Sequence, residues 1–125
     1  MKTHLGLCLI GAALLATPPA ATAATLATTF VRSPAGSDII CNVVNAGKKP
    51  IRVVIRIRDI AGQILEESGS FEIPPQTGNG IGDAANDDYF GWCEFEVQGN
   101  RKGVRASLQL RPDSNSPPDV VVPAY

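Results

Sequence analysis

Apolar side chains recur at every second position along four stretches of this chain, the period of strands that bury one face. The clearest stretch runs from Ile51 to Arg58: Ile51, Val53, Ile55 and Ile57 fall on one side, and Arg52, Val54, Arg56 and Arg58 on the other. From Val104 to Arg111, the apolar side is Val104, Ala106, Leu108 and Leu110. From Trp92 to Val97, Cys93, Phe95 and Val97 point inward while Trp92, Glu94 and Glu96 point outward. Ile39, Cys41 and Val43 supply the core side of a fourth strand. A fifth is expected from Gln63 to Ile73, interrupted by Ser68-Gly69-Ser70, and Thr25 to Arg32 supplies a first strand ahead of these.

Turn residues fall between the runs. Asn45 to Pro50, Asp59 to Gly62 and Gln98 to Gly103 are expected to close three hairpins. Pro74-Pro75 ends the fifth strand, because proline donates nothing to a ladder. Gln76 to Asp88, rich in Gly, Asn and Asp, reads as the longest loop. Residues 112–119 read as a Pro-rich linker, and Val120-Val121-Val122 as either a loose tail or a short edge strand. About six or seven short strands joined by regular turns predict an all-β chain folded as one antiparallel β-sandwich.

The N-terminus follows a different pattern. Lys2 precedes an apolar stretch from Leu5 to Ala16, and small residues follow at Ala21-Thr22-Ala23. This is the layout of a secretory signal peptide over residues 1–23, too short to span a bilayer. Residues 24–111 then form the sandwich domain and 112–125 the linker with its tail. Membrane insertion after cleavage is not expected, and the chain should reside in the periplasm or be secreted. Cys8 leaves with the leader. Cys41 and Cys93 remain, and in an oxidising compartment an even pair is most simply a disulfide.

Charge and composition narrow the chemistry. Removal of Lys2 leaves ten Lys and Arg against twelve Asp and Glu, without the basic surplus that nucleic-acid binding needs. His4, the single histidine, lies in the leader. The mature chain therefore cannot assemble a Ser-His-Asp or Cys-His site, and no catalytic, metal or cofactor site is expected.

Cys41 falls on the second strand and Cys93 near the end of the chain, just before the last strand pair. In this the chain resembles immunoglobulin-like and fibronectin-III-like domains, whose disulfide joins the second strand to the penultimate one across two sheets. Cys41, Asn45, the Val/Ile-rich strand, Asp59 and Gly62 also look like those of small exported bacterial β-sandwich proteins, many without an assigned activity. The tryptophan of immunoglobulin domains proper is absent from the third strand; Trp92 stands beside the second cysteine instead.

Three constellations are candidates for binding. Arg52, Arg56 and Arg58 form a stripe that faces Glu94 and Glu96 if the third, sixth and seventh strands are neighbours, with Arg105 and Arg111 beyond. Such a stripe is either a cross-strand charge ladder or an anion- or polysaccharide-binding face with Val54 and Trp92 as its floor. Tyr89-Phe90-Gly91-Trp92, preceded by Asp87-Asp88, either stacks a sugar ring or closes the end of the sandwich. Asp83, Asn86, Asp87 and Asp88 lack EF-hand spacing and leave weak calcium binding open. The expected function is a non-enzymatic binding module at the cell envelope, with an envelope protein or polysaccharide as partner. The alternative is an assembly subunit that pairs through its C-terminal strand or a sheet edge.

Overall fold

Side chains at alternate positions in the four periodic stretches are buried together, and their burial brings two sheets face to face. Ile39, Cys41 and Val43 oppose Ile55, Ile57, Cys93, Phe95 and Val97, all of them fully shielded from solvent. The computed structural model describes residues 23–125, so the leader read over residues 1–23 lies, apart from Ala23, outside the described residues.

The strands are β1 (Ala23–Ala27), β2 (Val31–Ser33), β3 (Asp38–Asn45), β4 (Ile51–Asp59), β5 (Ile64–Ile73), β6 (Thr77–Ala84), β7 (Tyr89–Gln98), β8 (Val104–Arg111) and β9 (Val120–Pro123). One antiparallel sheet runs β1-β7-β4-β5, with β2 following β1 along the same flank of β7. The other runs β6-β3-β8-β9. The all-β sandwich is as expected; the count of nine described strands exceeds the six or seven read from the sequence.

Each additional strand has a physical cause. Thr28 divides the expected first strand: its N–H donates to Cys93 O, and its hydroxyl accepts from Cys93 N–H, so a side chain replaces one rung of the ladder. The stretch read as the longest loop contains β6, because Gly78, Gly80 and Gly82 hide a strand behind turn-like composition. Ser68 does not interrupt β5. Its hydroxyl accepts from Ile55 N–H at a register shift in the β4–β5 ladder, and Gly69 takes a φ of 68°. The tail is an edge strand, with Val120 to Pro123 paired to Leu110 to Ser107.

Only one of the three expected hairpins is a hairpin. Asp59 to Gly62 joins the paired strands β4 and β5, whereas the turns at 45–50 and 98–103 carry the chain from one sheet to the other. Turn chemistry marks a reversal, and which sheet the next strand enters depends on the core. For the same reason β8 pairs with β3 and not with β7. The expected neighbourhood of third, sixth and seventh long strands therefore holds for β4 and β7 alone, and Arg105 and Arg111 lie on the opposite sheet.

The Cys41–Cys93 disulfide joins β3 to β7 across the sheets, with Cα atoms 5.7 Å apart and 52 residues between the cysteines. Asn45 ties down a sheet-to-sheet turn. Its buried amide donates to Lys49 O at 2.8 Å and Ile73 O at 3.0 Å, and its Oδ1 accepts from Gly47 N–H at 3.0 Å. At the far flank, Ala27 and Tyr125 exchange both backbone hydrogen bonds at 3.1 Å, which links the end of β1 to the segment after β9.

Replacing both cysteines by alanine should lower unfolding free energy by about 4 kcal/mol, read from urea denaturation. A loss below about 1 kcal/mol would show that the bond does not stabilise the domain. Asn45→Ala should cost about 2 kcal/mol in the same assay, since it orphans the buried Ile73 carbonyl and also releases Lys49 O and Gly47 N–H.

Candidate functional site

The outer face of the β1-β7-β4-β5 sheet carries the residues singled out in the sequence. Alternation along β4 sends Arg52, Val54, Arg56 and Arg58 outward, and register places Arg56 opposite Glu94 on β7 and Glu67 on β5. The Arg56 guanidinium reaches three carboxylates: Glu67, Glu94 at 2.9 Å and Glu96 at 3.2 Å. Arg58 makes a two-pronged contact with Glu94, Nε to Oε2 and Nη2 to Oε1, both at 3.1 Å, and donates from Nη1 to Gly62 O at 2.7 Å. Trp92 packs beside it, with the Arg58 guanidinium carbon 6.0 Å from the ring centroid and the indole N–H donating to Asp59 O at 3.0 Å.

These contacts tune the charges. Hydrogen bonds to Glu67 and then Glu94 raise the Arg56 pKa above its already high ordinary value. Burial alone pushes the Glu94 carboxyl upward, but hydrogen bonds from Arg58 and Arg56, with their charges, hold it below the usual carboxylate range. The network is therefore satisfied from within. An incoming anion would have to displace Glu94 or Glu96 from a guanidinium already engaged, which argues for the cross-strand ladder over an anion-binding face. The ladder runs Glu67, Arg56 and Glu94 across β5, β4 and β7. Arg52 stands apart, exposed and opposite Glu72 and Gln98, with no ion pair among the described residues.

Tyr89 does not join Trp92. Three residues apart on one strand, they face opposite sides of the sheet. Tyr89 is half-buried at the end of the sandwich, where its hydroxyl donates to Asp83 at 3.1 Å; burial first, and the Asp83 charge second, raise its pKa. Phe90 stays on the outer face and meets Phe30 edge to face. The acidic residues at the 83–88 turn are also dispersed. Asp83 takes the Tyr89 hydroxyl, while Asp88 accepts from Arg32 and from Ala35 N–H, contacts that lower its pKa. Among the described residues, no group of three or more His, Cys, Asp or Glu is placed to hold a metal ion.

The other sheet holds what the sequence reading passed over. Its outer face is floored by Asn42 and Val44 of β3, Gly78 and Gly80 of β6, and Ser107 and Gln109 of β8, around an open hollow of about 420 Å³. β6 forms the edge of this sheet, and its glycines follow a rule. Gly80 N–H donates at 2.8 Å to the side chain of its own neighbour Asn79, not to β3. Backbone groups alternate in direction along an antiparallel strand, so Gly78, Gly80 and Gly82 all turn their N–H and C=O away from β3. The signal was present in the sequence as glycine at every second position, interleaved with Thr77, Asn79, Ile81 and Asp83.

Glu94→Gln should destabilise the domain by about 1–2 kcal/mol at pH 7 and by less at pH 3. The depressed Glu94 pKa contributes stability above the unfolded value near 4.5, and that contribution is lost as pH falls through the lower folded value. Urea unfolding at the two pH values checks this. An equal loss at both would remove the charge from the account.

No family model, no curated protein and no solved structure matches this chain, so the reading of its site rests on its own geometry.

Proposed function

We propose that this chain is an exported, non-enzymatic interaction module at the cell envelope that receives an extended segment of a partner protein along the edge of β6. The leader pattern of residues 1–23 supports export, and the Cys41–Cys93 disulfide is compatible with an oxidising compartment outside the cytoplasm. No helix among the described residues is long and apolar enough to cross a membrane.

One observation carries the reading: β6 is an open edge without a bulge or a run of charge, while β5 is charged and bulged and the end of β1 is tied to the segment after β9. β5 presents Glu66, Glu67 and Glu72 and is bulged against β4. β1 and the segment after β9 are joined through Ala27 and Tyr125. Charge, bulging and covering are the usual protections of a sheet edge. β6 has eight residues, one charge at Asp83, no proline and no register shift against β3. Outward backbone donors and acceptors at three side-chain-free positions suit strand addition, in which main-chain hydrogen bonds supply the affinity. The C-terminal strand is already spent on β8, which favours the edge over the tail as the pairing element. The engaged Arg56, Arg58 and Trp92 likewise favour a protein segment over a polysaccharide on the opposite sheet.

Gly82→Pro tests this. A Cβ at Gly82 meets only ordinary contacts, Ile40 Cγ1 at 3.5 Å and Ile39 O at 3.6 Å; proline there also removes an outward N–H, and thermal unfolding of the variant checks that it folds. A photo-crosslinking residue at Asn79 should yield adducts in intact producing cells; the Gly82→Pro background should reduce their yield at least tenfold, and Gly82→Ala should leave it unchanged. Adducts from a probe at Arg52 but none from Asn79 would move the site to the charged face and end the edge reading.

A further inference from the structure

We infer that the end of the sandwich formed by the turns 46–50 and 99–103 docks on the anionic phospholipid headgroups of a membrane, through Lys48, Lys49, Arg101 and Lys102. The inference goes beyond the β6 edge and concerns a different surface.

The fold gathers these cations at one tip. Ala46 N–H donates to Gly103 O at 2.8 Å, and a Cβ at Gly103 would stand 2.8 Å from Gly47 N and Cα, so glycine lets the two turns press together. Lys48-Lys49 and Arg101-Lys102 thereby become neighbours, and all four are exposed. Among the described residues none of them has an ion pair, in contrast to Arg56 and Arg58 on the outer face. Arg105, also exposed, donates to Lys102 O at 3.0 Å and adds its charge. The first carboxylates down the sheet are Glu72, opposite Arg52, and Glu96, which Arg56 engages. An open hollow of about 450 Å³ between the 45–49 turn and Asn100 has room for a headgroup phosphate.

Charge is segregated along the long axis of the domain. Every lysine after the leader lies at this tip. Every aspartate, from Asp38 and Asp59 at strand ends to Asp113 and Asp119 in the turn between β8 and β9, lies at the other end. The ends are about 30 Å apart, the length of the nine-residue β4. Screening acts within about 8 Å at physiological ionic strength, so a surface that touches the tip meets its cations and not the distant aspartates. Each Lys or Arg beside an anionic membrane tightens binding roughly fivefold, and four together roughly several hundredfold.

The path of the chain favours a membrane over a free phosphate or an acidic protein. β1 begins at the same tip, where Ala23 pairs with Gln98, and the apolar stretch Leu5 to Ala16 precedes it in the sequence. A leader engaged in a bilayer therefore presents this end to the lipid first. Docked this way, β6 stands upright with Thr77 nearest the lipid and Ala84 farthest, and its edge stays clear for a partner.

The test uses the oxidised chain 24–125 and sedimentation with vesicles. Phosphatidylcholine mixed with phosphatidylglycerol should bind it, phosphatidylcholine alone should not, and added sodium chloride should release it. Lys102→Gln should weaken binding roughly fivefold and Lys48→Gln with Lys49→Gln roughly 25-fold, whereas Arg32→Gln, the same charge change at the aspartate end, should leave it unchanged. Thermal unfolding checks that each variant folds. Paramagnetic lipid headgroups should broaden the amides of 46–49 and 99–103 ahead of those of 85–88.

Equal binding to both vesicle types, equal losses from Lys102→Gln and Arg32→Gln, or equal broadening at both ends overturns the proposal. Release by inorganic phosphate beyond that of sodium chloride at equal ionic strength would assign the hollow to a free phosphate, and capture by polyglutamate in preference to vesicles would assign the tip to an acidic protein; either overturns the lipid surface. The Asn79 crosslinks report on the β6 edge alone, so they separate failure here from failure there.

Discussion

One covalent bond between the two innermost strands fixes the rest of the molecule. Cys41 lies on β3, flanked by β6 and β8, and Cys93 lies on β7, flanked by β4 and by β1 with β2. Each cysteine sits in the buried set of its strand, so the bond sets which set faces inward on both sheets at once. A slip of one residue on either strand would turn Ile39, Val43, Phe95 and Val97 to solvent. The ladders on either side inherit that choice: Leu108 and Ile81 stand beside Cys41, and Ile57 beside Cys93. The core of Val, Ile and Phe packs in the same register that the bond requires.

The outer faces of the two sheets solve opposite problems. On the β4–β7 face, carboxylates and guanidiniums are close enough to satisfy one another, and the Arg58 guanidinium also lies over the Trp92 ring. A face so occupied has little left for a ligand. On the β3–β6 face, glycine removes side chains where they would otherwise protect the edge. A Cβ at Gly80 would come within 2.6 Å of Asn42 Oδ1 and 2.7 Å of Cys41 O, so close approach of β6 to β3 itself demands glycine there. The same absence that lets β6 close on β3 leaves its far side bare.

Four strands were legible because β-branched and aromatic residues alternate cleanly with polar ones: Ile51 to Arg58 is the plainest example, and every inward residue named there is buried. β6 was not, because glycine scores as a turn in any reading based on composition, although its spacing of two was visible. The separation of Tyr89 from Trp92 was also available, since an odd and an even position on one strand cannot share a face. Strand order was beyond reach. Gln98 to Gly103 reverses the chain equally well into a hairpin or across to the other sheet, and only the packing of Val104 and Leu108 against the shared core decides between them. The edge as a site depended on knowing that order.

The exchange of hydrogen bonds between Ala27 and Tyr125 has a mechanical consequence. Tension applied between these two segments loads that pair first, and it opens like a zip, one rung at a time, not by the simultaneous shear of a whole ladder. Extension then proceeds through β1, β2 and the stretch after Cys93 until the disulfide takes the load. The 52-residue span between the cysteines is shielded from the pull. β4 and β5 lie within that span and pair with one another, so under force this domain would lengthen at its two ends and keep the β4–β5 hairpin unloaded.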